Sequence, residues 1–140
     1  MKHRVSTWAL AAACLCAGNA HAQPLSPAEP AADGKTLYAK NCAACHQATG
    51  RGIPGAFPAL VGSPVVNSAT GEASEVLLKG RGGMPDFSGS LDDADIAAVL
   101  TYARTSWGNR APPVSGAYVQ AQRAALKVAP ASHSRFGNKH

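Results

Sequence analysis

Residues 42–46 read Cys42-Ala43-Ala44-Cys45-His46. Two cysteines separated by two residues and followed at once by a histidine form the pattern for covalent attachment of a c-type haem. The spacing has a physical basis. On a helical turn, side chains three positions apart project to the same side. Each thiol then reaches one vinyl group of the porphyrin to form a thioether, and His46 brings an imidazole nitrogen to the iron. Three other chemistries use paired cysteines, and each lacks a part here. Zinc needs four ligands. Only His133 and His140 remain to complete such a set, far down the chain and spaced outside the usual range. A thioredoxin-like redox pair needs a βαβ context, and no period-two strand pattern is visible. A Cys42–Cys45 disulfide would close a very small loop and stabilise little.

The start of the chain agrees with attachment outside the cytoplasm. Lys2, His3 and Arg4 precede an apolar stretch from Val5 to about Ala17, and Ala20-His21-Ala22 is a small-x-small cleavage signature. Residues 1–22 read as a secretory signal peptide. The apolar run is shorter than the roughly 20 residues of a spanning helix, so no integral membrane span is expected after cleavage. Cys14, Cys16 and Met1 leave with the signal, and the exported chain keeps Cys42, Cys45 and one methionine, Met84.

Of the 140 residues, 46% are hydrophobic and 15% charged, which suits one packed domain. Aromatics are only 6%, so the core is built from Ala, Val and Leu or around something that is not protein. The formal charge of +5 comes from scattered Lys and Arg without a run, so no nucleic-acid partner is indicated. Residues 23–32 are a Pro-rich linker. A helical pattern runs from Asp33, a candidate N-cap, to the cysteines. Residues 47–64 are dense in Gly and Pro and read as a long loop with one short turn. Further helices are expected over 73–79, 92–106 and 116–129. The second of these carries Ile96, Val99, Leu100 and Ala103 on one face and stops at Gly108. From Pro130 to His140 a loose tail is expected.

A haem iron has a second axial position. Met84 sits in Gly82-Gly83-Met84-Pro85, between two helices. A lone methionine is ordinarily core filler, but such a residue belongs to an apolar periodic face, and Met84 is flanked by glycines and a proline. Glycines let backbone approach a bulky planar group closely. Met84 is therefore the candidate sixth ligand, with His133, His140 or an open position as alternatives.

Residues 33–109 resemble a class I mono-haem cytochrome c. The matching pieces, in order, are Asp33-Gly34-Lys35 through Tyr38, the Cys42–His46 motif, Phe57-Pro58-Ala59-Leu60, Gly83-Met84-Pro85, and Leu91 to Ile96 through Tyr102. The stretch Tyr102 to Asn109 is similar to the end of cytochrome domains that accompany periplasmic dehydrogenases. The resemblance implies an all-α class I cytochrome c fold, with helices and long loops wrapped around one covalent haem c. It implies a crossing of the first and last helices at Gly34, Tyr38, Val99 and Tyr102. It also implies that the carbonyl of Pro58 orients His46. Residues 110–140 form a C-terminal extension.

The expected function is electron transfer in the periplasm, one electron at a time, on a His46/Met84-ligated haem, with no catalysis by the chain itself. Redox proteins are the expected partners: a dehydrogenase donor, and an oxidase or another cytochrome as acceptor. The alternative is the cytochrome subunit of a dehydrogenase complex. A small haem peroxidase or gas sensor would need an open iron site. Lys40, Arg51, Lys79 and Arg81 flank the ligand segments; they read either as an ordinary solvated surface or as a positive rim for docking an acidic partner.

Overall fold

The computed structural model describes residues 33–69 and 71–132. The expected signal peptide and Pro-rich linker, together with His133 and His140, lie outside the described residues. Six helices follow in chain order: α1 (Gly34–Asn41), α2 (Ala43–His46), α3 (Pro64–Asn67), α4 (Glu72–Lys79), α5 (Asp93–Thr105) and α6 (Gly116–Ala125). Among the described residues the only β pairing consists of two isolated bridges, Ile53 with Phe57 and Arg81 with Met84. The fold is all-α.

Local chemistry starts most of these helices. Asp33, Ser63, Asp92 and Ser115 each accept a hydrogen bond from the backbone three residues on, which satisfies an otherwise orphaned amide. Asp93 and Asp95 occupy the first turn of α5, where the helix dipole favours them. Helix α5 lies within one residue of the expected 92–106 at each end, since Asp92 is its cap and Ser106 is already extended. Two expectations need correction. The loop over 47–64 ends in a further helix, α3, because Ser63 caps it and Pro64 is pre-set for its first turn. Helix α6 stops at Ala125 rather than running to 129. There Lys127 turns left-handed (φ +54°), and the amides of Lys127 and Val128 bond back to Ala124 and Arg123 at 3.1 and 3.0 Å. That is a Schellman closure without glycine.

The core joins Leu37, Tyr38 and Cys42 of the N-terminal segment to Leu77 and Leu78 of α4, Ile96, Val99 and Leu100 of α5, and Val119 of α6. Helices α1 and α5 meet where Gly34 faces the Ala98 carbonyl and Tyr102; any Cβ at residue 34 would overlap that backbone. Tyr38, Tyr102 and Trp107 close the crossing, with ring centroids 5.0–5.3 Å apart. The crossing implied by the resemblance is thus present. Two buried polar side chains bind the loops to α5. Arg104 donates to the carbonyls of Val66, Ser68 and Pro112 at 2.6–2.8 Å. Asn109 donates to Leu60 and Ala103 and accepts from the Gly62 amide at 2.8 Å.

Candidate functional site

Cys42, Cys45 and His46 share one turn. The amides of Cys45 and His46 both bond to the Cys42 carbonyl, at 3.2 and 2.9 Å. Both thiols are free; Cys42 is buried and Cys45 half-buried. Burial, and then the neighbouring Cys45, push the Cys42 thiol up to about 11. The chain then leaves the turn abruptly. Gln47 adopts a left-handed φ of +63°, uncommon for a residue with a side chain. Tyr38 holds it there by donating its hydroxyl to the Gln47 carbonyl at 2.6 Å. Trp107 donates its indole N–H to the next carbonyl, Ala48, at 3.2 Å. Gly50 packs flat beneath that indole, where a Cβ would come within 2.5 Å of the ring.

His46 is 5% exposed. Its Nδ1 lies 2.9 Å from the carbonyl of Pro58. A carbonyl only accepts, so Nδ1 carries a proton, and in the neutral ring Nε2 is the nitrogen with the lone pair. The loop that presents Pro58 is built for this. The Gly52 amide bonds to the His46 carbonyl at 2.9 Å, Ile53 and Phe57 exchange two backbone bonds, and the Leu60 amide bonds to Gly50 at 2.7 Å. A Cβ at Gly52 would strike the Phe57 and Pro58 carbonyls. Ile53 and Phe57 remain 40% and 39% exposed on this loop. An open groove of about 330 Å³ runs along Arg51 and residues 54–59. Apolar surface is therefore available beside the histidine.

Met84 lies on a separate element. It closes a tight hairpin between α4 and α5, exchanging backbone bonds with Arg81 at 3.0 and 3.1 Å. Gly80 (φ +73°) lets that hairpin fold against itself, since a Cβ there would meet the Met84 carbonyl at 2.7 Å. The half-buried Met84 packs against the same apolar cluster that includes Cys42, as does Ala43. The segments that carry His46 and Met84 thus border one core. Two cations of the candidate rim are engaged within their own segment. Lys79 pairs with Glu75 at 3.1 Å and Arg81 with Glu72 at 2.9 Å. Among the described residues no group of three or more His, Cys, Asp and Glu side chains comes together to hold a metal ion. Among the described residues no helix is long and apolar enough to cross a membrane.

The family model described as cytochrome C oxidase, cbb3-type, subunit III matches residues 29–102. The chain belongs to the cytochrome c family. Its cofactor is covalently bound haem c. Two free thiols on one turn, followed by an imidazole whose Nδ1 is held by a carbonyl so that Nε2 faces away from that bond, fit that group. Similar curated proteins include the cytochrome c subunit of the quinone alcohol dehydrogenase of Gluconacetobacter polyoxogenes, 39% identical over 56% of this chain and 19% of that one. Cytochrome c-552 of Thermus thermophilus is 41% identical over 56% of this chain and 70% of that protein. The fructose dehydrogenase cytochrome subunit of Gluconobacter japonicus is 32% identical over 70% and 23%. This chain spans about a fifth of the dehydrogenase subunits it matches.

Proposed function

We propose that the protein is a one-electron carrier of the periplasm, with Cys42 and Cys45 as the thioether-forming residues and His46 and Met84 as the axial ligands of its haem. The observation that carries this reading is the His46–Pro58 hydrogen bond, which fixes the tautomer a metal-bound imidazole needs and leaves Nε2 as the donor. Haem c supplies the one-electron Fe(III)/Fe(II) couple. The Met84 thioether, a soft ligand, favours the ferrous state and raises the potential. With an imidazole and a thioether committed to the iron, oxygen and peroxide have no vacant position, which favours a carrier over a peroxidase or a sensor. The signature at residues 1–22 supports export.

The experiment is a denaturing gel and a redox titration of the holo-protein. Haem should stay on the polypeptide, no thiol should titrate in the mature chain, and the titration should follow a single one-electron curve. Haem extracted by acidic organic solvent, or carbon monoxide bound readily by the reduced protein, would refute the assignment. The names of the relatives favour a second reading, in which the chain serves as the electron-transfer part of a dehydrogenase. Co-purification of a large catalytic subunit from the native periplasm would establish it.

A further inference from the structure

Residues 80–92 connect α4 to α5 and carry Met84. The first half of this segment is held by its near surroundings. Arg81 and Met84 pair with each other, and the Phe87 amide bonds to the Leu77 carbonyl at 2.8 Å. The second half is anchored by the C-terminal extension. Arg123 of α6, 4% exposed, donates from Nη1 to the Ser88 carbonyl at 3.0 Å and from Nη2 to the Leu91 carbonyl at 3.2 Å. Its Nε meets Asp93 Oδ1 at 2.7 Å, and Nη1 also reaches the Ala129 carbonyl at 2.7 Å. One guanidinium therefore grips both ends of the Phe87–Leu91 turn, the first turn of α5 and the chain just past α6. A buried arginine must be bonded on all sides to offset its desolvation. Its fork is planar and rigid, so the turn cannot shift against α5 without breaking a charge-assisted bond.

We propose that Arg123 is a positioning residue for Met84: it holds the turn that follows the methionine, and so sets how often the thioether leaves the iron. This rests on Met84 being the axial ligand. An external ligand binds ferric iron only in the Met84-off state, so its apparent affinity scales with the population of that state. The test compares three holo-proteins. Arg123→Lys keeps the charge and one bond to Asp93 but cannot span Ser88, Leu91 and Ala129. Val119→Ala loosens the packing of α6 without touching those bonds. Arg123→Lys should raise the affinity of ferric protein for imidazole by about tenfold and weaken the sulfur-to-iron charge-transfer band. Val119→Ala should lower the thermal midpoint and leave both unchanged. In a Met84→Ala background, Arg123→Lys should have no effect on imidazole affinity. If Arg123→Lys behaves like Val119→Ala, with midpoint lowered and imidazole affinity unchanged, the residue only fastens α6 and the proposal is overturned. If the unaltered protein lacks the charge-transfer band, the Met84 assignment itself fails, and this proposal with it.

Discussion

Met84, as the proposed axial ligand, and Tyr38, as the support behind His46, bear on the site in different ways. Replacing Met84 by Ala should abolish the sulfur-to-iron band, lower the reduction potential and let the reduced protein bind carbon monoxide. A methionine that only fills space would instead cost roughly 2–5 kcal/mol on truncation, with spectrum and potential unchanged. Absorption, potentiometry and thermal melting on one sample separate the two. Tyr38 acts through its hydroxyl, which holds the left-handed Gln47 just after His46. Burial, with smaller contributions from Cys42 and Tyr102, pushes this phenol from 10.0 up to about 12. Its folded-state value is raised, so its contribution to stability is whole below the unfolded value and is lost as pH climbs through the folded one. Tyr38→Phe should cost about 1 kcal/mol at neutral pH. It should also flatten part of the alkaline fall in stability between pH 10.0 and about 12, read by urea denaturation along that range. Cys42, Cys45 and His46 stood out in the sequence because haem attachment restricts both residue type and spacing, and Met84 because it is a lone methionine set between glycines and a proline. Asn109, Arg104 and Arg123 did not. Their partners are mostly backbone groups that only the folded chain brings together, and a backbone group has no sequence signature.

Helices were legible where their starts are local. Asp33 and Asp92 cap α1 and α5 through amides three residues ahead, so sequence spacing alone predicts them. The Ser63-Pro64 start of α3 carries the same kind of signal, but the surrounding glycines and prolines read as a long loop with one short turn. The end of α6 gave no such signal, since Lys127 takes the left-handed position that a glycine normally marks. Between elements, the contact most sensitive to one atom is Gly34 on α5. A side chain there would overlap the Ala98 carbonyl, and a backbone group cannot swing aside. Gly34→Ala should force α1 and α5 apart and destabilise the protein by about 1–3 kcal/mol, as overpacking does. Denaturant titration of the holo-protein checks this; an unchanged midpoint would show that the crossing has slack. The shift also strains the Tyr38–Tyr102–Trp107 cluster, so tryptophan fluorescence should respond in the same variant.

At the scale of the whole molecule, the family model ends at Tyr102, while the packed body continues. Val119 of α6 is completely buried, and Val114, Leu126 and Val128 pack around the same cluster. The Arg123–Asp93 pair ties this segment to the start of α5. The extension is thus part of the core rather than an appendage, and the faces of α4 and α5 beneath it are apolar because it covers them. A chain cut after Asn109 would uncover that surface and leave Asp93 without its cation. Fully burying one valine is worth about 1.5–3 kcal/mol. Losing Val119 together with its three partly buried neighbours should therefore remove more than about 3 kcal/mol, a large share of the 5–15 kcal/mol that typically holds a domain together. Covalent haem remains on the shortened chain, so its folding is measurable by urea titration followed in the haem absorption and in far-ultraviolet dichroism. Loss of α6 alone removes 10 of the 47 residues in described helices, so the midpoint and not the amplitude is the readout. A large drop in the urea midpoint would then report the uncovered core. A shortened chain as stable as the full one would mean that α4 and α5 tolerate water on this face and that α6 only rests on a body already complete.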